Sequence, residues 1–406
     1  MKILYDTQCF NTQKFGGISR YFCEIMKNLP NAAEISLPCI YSDNEYLKQA
    51  NLVSLKEFKD KNSFECFLSG INFIGKKQLY SFKKRVLTSI FFKNKFHRQN
   101  LSPIVINKQE CIKALQNQDF DVFHPTYFDP YFLEYIGQKP FALTIHDMIY
   151  ELYPEFFSNA EEIIKNKKLL AEKAAKIIAV SNKTKEDIVK FYGSSFADKI
   201  EIIYHGSSLK ASYPASESTN FKTRFGRYFL YTGARNVYKN FLFMIESCAE
   251  FLIEKDLKIV CSGSPFSDIE QKFFDSLNIS NRVIHYFASD NELFWLYKNA
   301  IAFIFPSYYE GFGIPILEAF EAETPCLLAK SSCFPEIAED AALYFDPKAK
   351  NEIVSAMSNV LDKNIAGHLV EKGKERLKDF SWKKTAERTL NIYKSLLNGK
   401  NHVDKK

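Results

Sequence analysis

Phe305-Pro306-Ser307-Tyr308-Tyr309-Glu310-Gly311-Phe312-Gly313-Ile314-Pro315-Ile316-Leu317-Glu318-Ala319 is the stretch of this 406-residue chain that decides its fold. The apolar run Ile301–Phe305 leads into it and reads as a buried strand, and Pro315 suits the first turn of a helix, where its missing N–H costs nothing. Gly311 and Gly313 withhold side chains where the backbone must come close to something. Free amides at the helix start favour an anion. Glu310 falls in the loop and Glu318 a turn inside the helix. The two acids therefore do not share a helix face, but they could grip two parts of one ligand. A strand–loop–helix turn with incidental acids would show the same two glutamates; the whole phrase in this setting is far more specific.

Working outward, the same alternation recurs. Upstream, Tyr228–Thr232 reads as a strand before a helix over 240–254, Lys258–Cys261 before 268–277, and Arg282–His285 before 291–299. Downstream, Pro325–Ala329 closes the series. The first half carries a strand at residues 2–5, a loop with Gly16 and Gly17, and a helix over 18–29. Further strands are expected at 122–123, 141–145, 177–180 and 202–204. Ser181 is a ready N-cap for a helix over 183–191. Residues 43–107 receive no assignment. A serine-rich interval, 207–220, reads as a linker. The expected organisation is a first domain over 1–206, a linker over 207–224 and a second domain over 225–381, with a last helix over 382–397 crossing back onto the first. The class is α/β with two parallel sheets, and the natural ligand position is the cleft at their strand C-terminal ends.

Composition narrows the classes of function. Hydrophobic residues make up 46% and charged residues 25%, which excludes disorder and fibrous repeats. Nine scattered cysteines form no C-x-x-C pair, so neither a zinc site nor a disulfide framework is indicated. An acid at Asp6 interrupts any signal-peptide core, and no apolar run is long enough to span a membrane. The expectation is a cytoplasmic chain. Formal net charge is +6, and residues 76–98 alone hold eight cations and no acid, interleaved with aromatic residues. Two readings stay open: docking on an anionic membrane surface, or a solvated helix whose apolar stripe packs on its own domain. Nucleic acid is not expected, because nothing extends the basic track.

Five phrases in order carry a resemblance: Gly16-Gly17-Ile18-Ser19-Arg20-Tyr21, Thr144-Ile145-His146-Asp147, Ala179-Val180-Ser181-Asn182, Gly233-Ala234-Arg235-Asn236-Val237-Tyr238-Lys239-Asn240, and the Glu310–Glu318 segment. Together they resemble glycosyltransferase family 4, whose E-x7-E phrase matches Glu310 and Glu318. The resemblance implies the GT-B architecture, two Rossmann-like domains facing a cleft, and a retaining, metal-independent hexosyltransferase without a cofactor. It implies that Glu318 holds ribose hydroxyls and Glu310 the hydroxyls of the donor sugar. Gly16, Gly17, Gly311, Phe312, Gly313 and Ile314 would line the donor. Arg235 and Lys239, expected to stand exposed in the cleft, would neutralise the departing diphosphate. His146 would lie beside the donor sugar as a further catalytic residue. Arg235 stands one residue later after Gly233 than in most relatives, and Tyr286 replaces a glycine near the base.

The implied donor is a GDP- or UDP-hexose, with mannose weakly preferred. The implied acceptor is a cell-surface glycan, lipid-linked or free, as in lipopolysaccharide or capsule, reached at the inner face of the cytoplasmic membrane. The rivals are a sugar-nucleotide epimerase, a glycoside hydrolase and a catalytically silent binding subunit. His124 reads as structural or as lining the acceptor groove. Asp119-Phe120-Asp121 spells a metal-binding D-x-D, but it precedes a strand and should lie at the sheet edge away from the cleft.

Overall fold

The computed structural model describes residues 1–57, 102–209 and 223–398. The basic stretch 76–98 and most of the linker expected at 207–224 lie outside these residues. Twelve described strands form parallel sheets. β1 (Lys2–Tyr5), β2 (Glu34–Ser36) and β3 (Val122–His124) pair in the order β2-β1-β3. β4 (Ala142–Ile145), β5 (Lys176–Ala179) and β6 (Ile200–Ile202) pair in chain order. A bridge between Phe123 and Phe141 joins the two sets. The second sheet orders β7 (Tyr228–Thr232), β8 (Lys258–Ser262), β9 (Val283–His285), β10 (Phe303–Phe305), β11 (Cys326–Ala329) and β12 (Ala342–Phe345) as β12-β11-β10-β7-β8-β9. That order reverses beside β7, and the ligand crevice of a doubly wound sheet opens at such a reversal.

Strand alternation assigns each side chain to a layer. Ile3 and Tyr5 pack on one face of the first sheet with the helix Gly17–Asn28, while Leu4 packs on the other with Phe123, Leu143 and Ile177. Strands buried on both faces read as unbroken apolar runs, which is why β4, β5, β7 and β8 stand out in the sequence. The edge strands β2 and β12 do not: one is three residues of mixed polarity, and the other has two half-exposed positions. Neither was expected from the sequence, and β6 begins two residues earlier than its apolar run suggested.

The last helix, Trp382–Asn398, lies against the first lobe. Its Tyr393 hydroxyl meets the Tyr5 hydroxyl at 2.9 Å and His124 Nδ1 at 2.6 Å, and His124 Nε2 meets Thr144 Oγ1 at 2.9 Å. His124 is thus fully hydrogen-bonded inside the sheet layer rather than lining a groove. Asp119 and Asp121 sit at the strand-start edge, where Lys2 Nζ donates to Asp119 and Lys2 N to Asp121. Among the described residues no helix is long and apolar enough to cross a membrane.

Candidate active site

The Glu310–Gly313 loop leaves β10 and enters the helix Ile314–Glu321 through Gly313, whose φ of +93° lies in the left-handed region that disfavours side chains. Gly311 has a different reason to be glycine. A Cβ there would stand 1.7 Å from the carbonyl oxygen of His146, on the other lobe. The loop is moored to that lobe by its own backbone, since the Gly311 carbonyl accepts from Ser181 Oγ at 2.7 Å and from Thr184 Oγ1 at 3.3 Å. Ser181 also caps the helix Asn182–Tyr192, as its position in the sequence indicates. Tyr309 adds a second mooring: its hydroxyl donates to Asp187 Oδ2 at 3.0 Å and accepts from the Met148 amide at 3.1 Å.

Each glutamate of the phrase meets its own cation. Lys239 Nζ donates to Glu310 Oε1 at 2.5 Å, with about one-sixth of either side chain exposed. Burial alone would lower the Lys239 pKa, but the Glu310 charge beside it leaves it raised. Arg20 Nη1 donates to Glu318 Oε1 at 2.5 Å, and the Tyr297 hydroxyl donates to Glu318 Oε2 at 3.1 Å. Glu318 is 4% exposed. The two carboxylates thus face different partners at different places, as their loop and helix positions require.

Arg235 departs from expectation. Its guanidinium is forked onto Glu270 at 2.5 and 3.3 Å, donates to the carbonyls of Ser264 and Pro265 at 2.9 and 2.7 Å, and lies over the Phe266 ring. The side chain is 6% exposed, so the pair of free cations read from the sequence is not present. The physical reason is local. Glu270 closes the capping box of the helix Asp268–Ser276 and so stands fixed where an arginine at position 235 can fork onto it. Burial would raise the Glu270 pKa, but the Arg235 and Ser267 hydrogen bonds bring it below its usual value. Lys239 remains at the cleft, although it too is paired rather than free.

His146 follows β4 and packs edge-on against Tyr21, with ring centroids 4.8 Å apart. Burial lowers its pKa to about 4; the Asp147 charge opposes this and Lys167 reinforces it, so the ring is neutral at pH 7. His146 Nε2 is buried and has no hydrogen-bond partner among the described residues. Asp147 does not serve the histidine: its Oδ1 accepts from the Ile149 amide at 3.0 Å. Beneath the pair, the fully buried Lys167 donates to the Asp147 carbonyl at 3.1 Å and to Glu151 at 2.9 Å. Gly16 precedes the helix Gly17–Asn28 in extended backbone, with the Gln13 side chain where its Cβ would be, and Gly17 faces open space. Phe312 is buried, and its ring is stacked on His205 at 4.5 Å, whereas Ile314 is half-buried between the lobes.

Sequence reasoning missed Arg20, Tyr297, Lys167 and Glu336. Glu336 reaches from the second lobe to the start of the helix Asn182–Tyr192, where it accepts from the Asn182 and Lys183 amides at 2.6 and 3.1 Å. Arg20 was within reach of a sequence reading, since it belongs to the Gly16–Tyr21 phrase, one turn into its helix. Tyr297, Lys167 and Glu336 carry no local signal.

Comparison with known proteins places the chain in a family and a fold. A sequence model described as "Glycosyl transferases group 1" matches residues 216–378, and one described as "Glycosyltransferase Family 4" matches residues 76–210. The O-antigen chain mannosyltransferase RfbU of Salmonella typhimurium is 29% identical over 220 residues, which is 54% of this chain and 60% of that protein. The O-antigen chain mannosyltransferase B of Escherichia coli is 24% identical over 98% of this chain and 100% of its own length. The crystal structure of Anabaena HepE in complex with UDP-glucose superposes with a TM-score of 0.68 at 17% identity, covering 97% of this chain and 100% of that one. Two family sequence models, one on each lobe, a full-length relative and the shared two-sheet architecture together establish that the chain belongs to glycosyltransferase family 4 and is a hexosyltransferase of the GT-B fold.

Proposed function

We propose that this enzyme moves a hexose, mannose by preference, from a nucleotide-diphosphate sugar to a growing surface glycan of the lipopolysaccharide or capsule type, with retention at the anomeric carbon and without a metal ion. The observation that carries the reading is the loop between the lobes: its Glu310 pairs with Lys239, its Gly311 backbone lies against the His146 carbonyl, and the helix it enters holds a second, buried carboxylate, Glu318. The mannose preference and the glycan acceptor rest on the likeness to the O-antigen chain mannosyltransferases.

In this reading Glu318 takes the ribose hydroxyls and Glu310 those of the donor sugar. Lys239 lies beside the forming diphosphate, where negative charge grows as the C1–O bond breaks. The acceptor oxygen forms its new bond to C1 on the face the diphosphate leaves, and its proton passes to the departing phosphate oxygen. His146, neutral and with Nε2 unpaired, offers one hydrogen bond to a sugar hydroxyl without adding charge. Arg235 shapes the 263–267 turn and has no direct part. Contact with an anionic bilayer through residues 76–98 belongs to the same proposal and rests on the sequence alone.

The test is a panel of GDP- and UDP-hexoses screened for protection against heat, since a donor above its Kd must raise the unfolding temperature. The protecting donor is then used in turnover, with and without EDTA, on neutral and anionic vesicles. GDP-mannose is expected to protect, with turnover unaffected by EDTA and an α-linked product. Protection by no sugar nucleotide would refute the assignment.

A further inference from the structure

Arg20 belongs to no role assigned above, yet it stands where the two lobes meet at the carboxylate read as the ribose ligand. It lies on the helix Gly17–Asn28 of the first lobe, and its guanidinium has three neighbours from three parts of the chain. Nη1 donates to Glu318 Oε1 of the second lobe at 2.5 Å. Nε and Nη2 both donate to Ser208 Oγ, at 3.1 and 2.9 Å, just after β6 at the crossing between lobes. The Tyr46 ring lies 5.6 Å from the guanidinium carbon. The side chains of Arg20 and Glu318 are 10% and 6% exposed, so the charge pair is shielded from water and salt.

A buried carboxylate with one hydroxyl donor is poorly satisfied, and taking away its cation leaves an uncompensated charge. Arg20 and Tyr297 therefore fix the orientation of the Glu318 carboxylate from opposite sides, one oxygen each. Only a guanidinium could serve here, because its fork reaches Ser208 with two N–H groups and Glu318 with a third. The first lobe reaches across at a second point nearby. Phe15, half exposed in the loop before this helix, touches both Tyr46 and the exposed Phe287 that follows β9, with ring centroids 6.2 and 6.3 Å apart.

We infer that Arg20 is a positioning residue for the nucleoside end of the donor: it completes Glu318 only when the lobes are closed, so the first lobe takes part in nucleotide recognition as well as in acceptor binding. The inference rests on the reading of Glu318 as the ribose ligand. Glu318 does the gripping, and Arg20 acts through it. Two consequences follow. Loss of Arg20 should weaken binding of the bare nucleoside diphosphate, which carries no sugar. Its effect should also vanish when Glu318 is already disabled.

The experiment is calorimetric titration of the full chain with GDP and with UDP, for wild type, Arg20→Gln, Arg20→Lys, Glu318→Gln and the double variant Arg20→Gln/Glu318→Gln. Donor KM and kcat are measured alongside. Arg20→Gln is expected to weaken the preferred nucleoside diphosphate by about tenfold or more, a difference of about 1.4 kcal/mol. Donor KM should rise in parallel while kcat stays within about threefold. Arg20→Lys keeps the charge but loses the fork to Ser208, so it should fall between wild type and Arg20→Gln, weakened by about threefold to fivefold; it also serves as the informative variant if the glutamine form does not fold. In the Glu318→Gln background, the Arg20 change should alter affinity by less than about twofold. Unchanged affinity in a folded Arg20→Gln or Arg20→Lys protein would overturn the inference, and so would fully additive effects in the double variant. Unchanged affinity in Glu318→Gln itself would instead refute the ribose reading on which the inference rests.

Discussion

At the scale of single residues, Arg235 and Lys239, a pair in the sequence, should separate by experiment. Lys239→Ala removes a charge from the place where the diphosphate develops and leaves the largely buried Glu310 without its cation, so turnover of the folded enzyme is expected to fall about a hundredfold or more, on top of a stability loss of about 2 kcal/mol. Arg235→Ala leaves Glu270 largely buried without its fork, so it should cost about 2 kcal/mol or more of stability, with turnover reduced mainly through loss of folded enzyme. Equal effects of both changes on kcat would return Arg235 to the diphosphate. The buried histidines give a pH dependence. Burial, with the nearby His146 charge, lowers the His124 pKa to about 3, and burial lowers that of His146 to about 4. Below about pH 6.5 the unfolded chain takes up protons that the folded chain refuses. The stability these neutral rings contribute is complete above pH 6.5 and is lost as the pH falls towards 4 and then 3. The His146 share is at most about 3 kcal/mol. Melting temperatures across pH 7.5 to 4 should fall accordingly, and more shallowly in His124→Gln. A slope unchanged by that substitution would remove His124 as a source.

At the scale of elements, the helix Trp382–Asn398 follows the second sheet in the chain but serves the core of the first. It does so through an apolar stripe and one buried polar relay, Tyr5–Tyr393–His124–Thr144. Tyr393→Phe keeps the ring and deletes the shared hydroxyl, leaving the Tyr5 hydroxyl and His124 Nδ1 without that partner. A loss of about 1–3 kcal/mol is expected in denaturant unfolding. A loss below about half a kcal/mol would mean that the relay does not bind the helix to the sheet.

At the scale of the whole molecule, the lobes meet through the site itself. The Gly311 backbone lies on His146, Tyr309 on Asp187 and Met148, Glu336 on the helix Asn182–Tyr192, and Glu318 on Arg20. A methyl group on Gly311 has no room unless the lobes move apart, because the atom it would strike is a backbone carbonyl rather than a flexible side chain. Gly311→Ala should therefore lower turnover by about a hundredfold or more, as misplacement of reacting groups by an ångström does, and small-angle scattering should show a larger radius of gyration. Retained turnover with unchanged scattering would show that the loop can yield without opening the cleft.

What the sequence by itself determined was everything carried by short-range pattern. The alternation of apolar runs with helical stretches indicated two parallel sheets. Ser181 marked a cap, and Gly311 and Gly313 marked the close-packed turn. The loop and helix positions of Glu310 and Glu318 kept the two acids apart. These follow from the pleat of a strand, the pitch of a helix and the steric demand of a Cβ, which act over a few residues. What only the tertiary structure decided was which charge meets which. Arg20 finds Glu318 across 298 positions, Tyr5 finds Tyr393 across 388, and Arg235, conspicuous in its phrase, is claimed by Glu270 instead of the cleft. The edge strands β2 and β12 belong with these, because half-exposed strands are defined by the neighbour they pair with more than by their own residues. Ion pairs and edge pairings depend on distances set by how whole lobes pack, and no local rule of spacing carries that information.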